Sequence, residues 1–163
     1  MIWMMKSETF YSGMLVNPMS DKPTPFIEFY TDGSSRGKNG ASYSFICIKN
    51  GEIVFTKSEI LPNNTTSGEA EYIAILKAIR YAKNKKFKNI IVNTDSESIA
   101  WQMNGNARVK AKSIKRHYFT IKNISDKIGV TFNHVPRNNI YTGLTDGLCD
   151  LDMDFSKRCY RKY

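Results

Sequence analysis

Apolar and polar positions alternate in short runs up to Ile60, then follow a helical period from Thr66 onward. In TPFIEFYTDGSS, from Thr24, the bulky residues Phe26, Ile27, Phe29 and Tyr30 follow Pro25 and predict a strand that ends at Asp32. SYSFICIK (Ser42–Lys49) and EIVFTKSEI (Glu52–Ile60) predict two more strands, joined by Asn50-Gly51. Asn-Gly favours the two-residue hairpin turn, whose central residues both need positive φ. RGKNGA and Pro62–Thr65 read as loops.

TSGEAEYIAILKAIRYAKNKK then places Ala70, Ala74, Ala78 and Ala82, with Ile75 and Ile79, on one helical face. NIIVNTD is a short β-branched strand ending in Asp95, and SESIAWQMNG a short helix closed by Gly105. NARVKAKSIKRHYFTIKNIS reads as a linker and a further helix, VTFNHV as a strand, PRNNIYTG as a loop and LTDGLCDLDMDFSKRCY as a final helix. The order β-β-β-α-β-α-α-β-α predicts an α/β fold. Its mixed five-stranded sheet has three antiparallel meander strands and two parallel ones, flanked by helices. Residues 24–163 form this domain, and residues 1–23 a loosely docked, poorly ordered extension.

Acidic residues gather at the ends of these elements. Asp32 has two readings: a turn residue in Asp-Gly, or a carboxylate held for chemistry where the first strand ends. Asp95 closes the fourth strand, either as the N-cap of the next helix, shared with Ser96, or as a neighbour of Asp32 if the two strands are parallel. Thr66-Ser67-Gly68-Glu69 fits a capping box, which gives Glu69 a structural task. Glu71 instead shares the stripe of Ala74, Ile75 and Ala78, with no cation in its own turn. Asp146 falls in the first turn of the last helix, where the helix dipole favours it. Together, Asp32, Glu71, Asp95 and Asp146 would repel one another without a divalent cation, and oxygen-only ligands suit magnesium or manganese. Two such ions about 4 Å apart are the usual device for displacement at a phosphodiester.

Charge points the same way. Lys and Arg outnumber Asp and Glu 24 to 15, a net charge of +9, which suits an acidic partner, nucleic acid first, although basic surfaces also occur without one. Between Glu97 and Asp126 there is no acid, while Arg108, Lys110, Lys112, Lys115, Arg116 and Lys122 accumulate beside Tyr118 and Phe119. That segment reads as a phosphate-gripping surface or as a solvated helix. Three cysteines, Cys47, Cys149 and Cys159, form no disulfide framework, and with His117 and His134 they show no zinc spacing. The first twenty residues hold five methionines but no signal-peptide pattern, and nothing resembles a membrane span. A soluble, cytoplasmic, monomeric protein is the expectation.

TDGSS with Asp32, AEYIA with Glu71, TDS with Asp95, and HVPR followed by TDGLCD, with His134 and Asp146, occur in that order. In these motifs the chain resembles the type 1 ribonuclease H family, over roughly Pro25 to Phe155, and QMNGNARVK resembles its compact, prokaryote-like branch. The resemblance implies hydrolysis of the RNA strand of an RNA–DNA hybrid with two Mg2+ ions, Mn2+ being a substitute. Asp32, Glu71, Asp95 and Asp146 would hold the metals, and His134, on a flexible loop, would assist proton movement or product departure. Ser34, Ser35, Thr66, Ser67, Ser96, Arg108, Lys110 and Lys112 would touch the nucleic acid. The chain departs from the family in three places. Ser67-Gly68 stands where Asn-Asn is usual, GKNGAS replaces an Asn-Pro-Gly loop, and the spacing from His134 to Asp146 is longer, which keeps Asp150 as an alternative fourth ligand. Two other functions fit this fold: a non-catalytic nucleic-acid-binding module and a metal-dependent DNA nuclease.

Overall fold

The computed structural model describes residues 24–160. The extension expected over 1–23 lies outside the described residues. Strands β1 (Ile27–Ser35), β2 (Ala41–Lys49) and β3 (Glu52–Leu61) form the antiparallel meander. Strands β4 (Ile90–Thr94) and β5 (Val130–His134) continue the sheet in parallel to β1, in the order β3-β2-β1-β4-β5. The helices are α1 (Ser67–Asn84), α2 (Glu97–Met103), α3 (Lys112–Ile128) and α4 (Ile140–Tyr160). Among the described residues, no helix is long and apolar enough to cross a membrane.

Side-chain alternation along the strands sorts the core into two faces. Ile27, Phe29, Tyr43, Phe45 and Cys47 pack beneath the Ala74-Ile75-Ala78-Ile79 stripe of α1. Tyr30, Ile46 and Ile48 turn the other way, toward Val135 and the α4 residues Tyr141 and Leu148. Full burial of each large apolar side chain contributes about 1.5–3 kcal/mol. The Asn50-Gly51 turn has both residues at positive φ, 54° and 79°. The capping box is present: Thr66 Oγ1 accepts from Glu69 N, and Glu69 Oε2 accepts from Thr66 N.

Two boundaries differ from expectation. Strand β1 does not end at Asp32 but runs on to Ser35, because β2 pairs with it over its whole length, Asp32 opposite Ser44. On the other side, pairing with β4 stops at Thr31–Thr94. Asp32 is therefore a strand residue just beyond the end of its parallel neighbour, and Asp32-Gly33 is not a turn. Helix α4 begins at Ile140, ahead of the expected Leu144. Asn139 Oδ1 accepts from Tyr141 N at 2.9 Å, the pattern of a side-chain N-cap, which starts the helix earlier and moves Asp146 out of its first turn.

Candidate active site

Asp32 and Gly33 face opposite sides of the sheet, and this brings two helices to one edge. Asp32 lies on the α4 side. Gly33 lies on the α1 side, where a Cβ would stand 2.1 Å from Ala70 C and Glu71 N. Only glycine lets the first turn of α1 press so closely on β1, and that approach carries Glu71 to the strand. Asp95 follows β4, and Asp146 projects from α4. The four carboxylates line one cleft of about 210 Å³, together with Ser34, Ser67 and Arg137.

The electrostatics are those of crowded acids. Burial, followed by the charges of Asp95 and Asp146, pushes the Asp32 carboxyl up to about 6. Burial, followed by the charge of Asp95, pushes Glu71 up to about 7, against a lowering hydrogen bond from Ser96. Asp32 Oδ2 is buried with no hydrogen-bond partner among the described residues. An orphaned carboxylate oxygen among other carboxylates fits a hard divalent cation with oxygen ligands. Among the described residues, no three acidic, imidazole or thiol groups close on one point as a metal shell. The carboxylates share a cleft without converging, as mutual repulsion dictates, and Arg137 Nε donates to Asp95 Oδ2 at 2.9 Å. Like charges separate unless a cation joins them, which accounts for the open spacing of side chains that share this cleft.

The other expected site residues are scattered. His134 is the last residue of β5, opposite Thr94, rather than on a loop, and does not line the cleft. Its backbone belongs to the β4–β5 ladder, which continues through Val135 N donating to Thr94 O. Ser35 Oγ donates to Thr65 O, and the Thr66 hydroxyl is engaged in the capping box. Ser96 Oγ lies 3.2 Å from Ser98 Oγ. Arg108 borders a separate concavity with Lys115, Tyr118 and Phe119, and Lys110 and Lys112 are exposed beside it. Asp150 is not in the cleft. It pairs at 2.6 Å with Arg36, which also holds Asp154 at 2.6 Å. The charged cleft residue missed in the sequence is Arg137, beside the uncharged Gly33, Thr142 and Gly143; it stands inside the HVPR string, where its charge could have been weighed against the nearby acids.

A family model described as reverse transcriptase-like matches residues 30–142. The fold is shared with RNase H1 from the halophilic archaeon Halobacterium salinarum, at a TM-score of 0.71 and 24% identity over 79% of this chain and 98% of that one. The N-terminal RNase H domain of Rv2228c from Mycobacterium tuberculosis superposes with a TM-score of 0.74 and 21% identity over 83% of this chain and 99% of that one. LC11-RNase H1, crystallised in complex with an RNA/DNA hybrid, gives 0.71 and 26% identity over 80% and 98%. No curated protein sequence is significantly similar to the chain. With its matched segment running from β1 into α4, the chain belongs to the reverse transcriptase-like family and has the fold of the type 1 ribonucleases H.

Proposed function

We propose that the protein is an endoribonuclease that hydrolyses the RNA strand of RNA–DNA hybrids with two bound Mg2+ ions. The observation that carries this reading is the meeting of Asp32, Glu71, Asp95 and Asp146 in one cleft of a chain with net charge +9. A module that only bound nucleic acid would gain nothing from four acids facing phosphates. The hybrid in the LC11-RNase H1 complex supports the substrate class.

Asp32, Glu71, Asp95 and Asp146 would hold the metal. Magnesium bound there would supply charge neutralisation at the attacking and departing oxygens of an in-line displacement. Ser34 and Ser67, on the cleft wall, offer hydroxyls to the substrate backbone. Arg137 offsets part of the charge at Asp95 and Glu71. His134, at the same sheet edge, assists proton movement or product departure. Recognition runs through the minor groove and its 2′-hydroxyls, because side chains cannot read the deep, narrow major groove of an A-like duplex.

The test is incubation of the protein with a labelled RNA–DNA hybrid, with and without Mg2+, beside RNA and DNA duplexes. Cleavage of the RNA strand of the hybrid alone, and only with metal, is the expected result. Hybrid binding without cleavage would replace the reading with a non-catalytic module, and cleavage of duplex DNA with a DNA nuclease.

A further inference from the structure

Asp32 and Asp146 come from elements far apart in the chain, and one small side chain stands between their backbones. Ser44 is the direct cross-strand partner of Asp32. Its Oγ donates at 2.7 Å to the carbonyl oxygen of Thr145, the residue before Asp146. Both Ser44 and Thr145 are fully buried. Thr145 is fixed on its own side as well, since its Oγ1 donates to Tyr141 O and Thr142 O. One turn further along α4, Ser42 Oγ donates at 2.9 Å to Cys149 O. Cys149 Sγ in turn donates at 3.8 Å to Asp32 O. The C-terminal half of the helix has its own tie, from Arg36 to Asp150 and Asp154.

We infer that Ser44 is a positioning residue: through its bond to Thr145 O it sets the separation of the Asp32 and Asp146 carboxylates, and so the strength of divalent-metal binding. This rests on the metal-dependent reading of the cleft above. A buried hydroxyl bonded to a mid-helix carbonyl holds that point of α4 against β2 in both distance and rotation. Ser42 makes the same kind of bond, but at Cys149, beyond Asp146. The two serines are therefore matched in chemistry and burial and differ in which part of the helix they hold.

The experiment compares Ser44→Ala, Ser44→Cys and Ser42→Ala in the full chain by Mg2+ titration calorimetry and by thermal melts in chelator. Both alanine variants should melt lower than the parent by similar amounts. Ser44→Ala should also weaken Mg2+ binding by about tenfold or more, the usual consequence of losing a group that orients a metal ligand. Ser42→Ala, which leaves the Thr145 tie intact, should weaken Mg2+ binding much less than Ser44→Ala. Ser44→Cys, with a weaker donor in a similar volume, should fall between parent and alanine, and stands in if Ser44→Ala does not fold. Equal Mg2+ affinity in all three variants and the parent overturns the assignment while leaving the nuclease reading intact. Absence of Mg2+ binding by the parent overturns both.

Discussion

Asp32 is an expensive residue where it stands. One of its oxygens is buried without a partner among the described residues, and two like charges lie close by. Asp32→Asn keeps the shape and removes the charge, so cleavage in Mg2+ should fall by orders of magnitude while the metal-free protein melts no lower than the parent, or higher. Retained cleavage would return the residue to a purely structural role. The pH dependence has a definite sign. Folding raises Asp32 from 3.8 to about 6 and Glu71 from 4.5 to about 7, so the folded chain binds the extra protons. The contribution of these two carboxyls to stability without metal is present in full below about pH 4 and is lost as pH rises through about 6 to 7, by roughly 1.4 kcal/mol for each unit by which a pKa is raised, while Glu59 and Glu69, both lowered, act in the opposite direction at acid pH. Melts in chelator across that range check the slope, which Asp32→Asn should flatten. Glu69 and Glu71 make the matching contrast. Glu71→Gln should abolish cleavage, whereas Glu69→Gln should leave it and cost about 1 kcal/mol through the capping box. Much of this was legible in the residues: the helical stripe separated Glu71 from Glu69, and the capping box was readable as Thr66-x-x-Glu69. The strand position of Asp32 was not, because Asp-Gly is a turn signal unless a long partner strand is present to pair through it.

Among the elements, Gly33 shows how a strand and a helix are brought to a common edge. Its missing Cβ is the space into which Ala70 and Glu71 fit. Gly33→Ala must displace backbone, so it should destabilise the protein by about 1–3 kcal/mol or more. It should also move Glu71 away from Asp32, so that Mg2+ affinity and cleavage fall together. Chemical denaturation and metal titration on the same variant measure both, and a fully active, stable Gly33→Ala would remove the close approach from the account. Periodicity together with turn signals predicted every long element, and the crossover helix between β1 and β4 implied that they are parallel neighbours. Periodicity placed the start of α4 late because Ile140, Tyr141 and Thr142 are β-branched or aromatic and read as loop, while the Asn139 cap that starts the helix is a single side chain. The alternative ligand Asp150 was open in the sequence for a related reason. Its partner Arg36 is distant in the chain, and an ion pair between elements leaves no mark on local spacing.

At the scale of the whole molecule, one group of cations stands where helix electrostatics disfavour it. The first turn of α3 contains no acid, and Lys112 and Lys115 stand at its start, against the positive end of the helix dipole. Lys110 precedes them, and all three are exposed. This basic turn packs next to the start of α1, since the Cβ position of Gly68, the neighbour of the cleft residue Ser67, lies 3.3 Å from Ile114 Cδ1. A run of cations at a helix start works against folding, so the arrangement fits a phosphate backbone that would neutralise it. Replacing Lys110, Lys112 and Lys115 by alanine should therefore act in opposite directions on two measurements. Thermal stability should rise slightly, by a few tenths of a kcal/mol for each cation removed from the helix start. Hybrid affinity should drop, and the slope of log affinity against log salt should flatten by about one for each phosphate that is no longer neutralised. Cleavage at saturating hybrid should persist, because the carboxylates are untouched. An unchanged salt slope with raised stability would make the basic turn a solvated helix end and move the grip to another face of the protein.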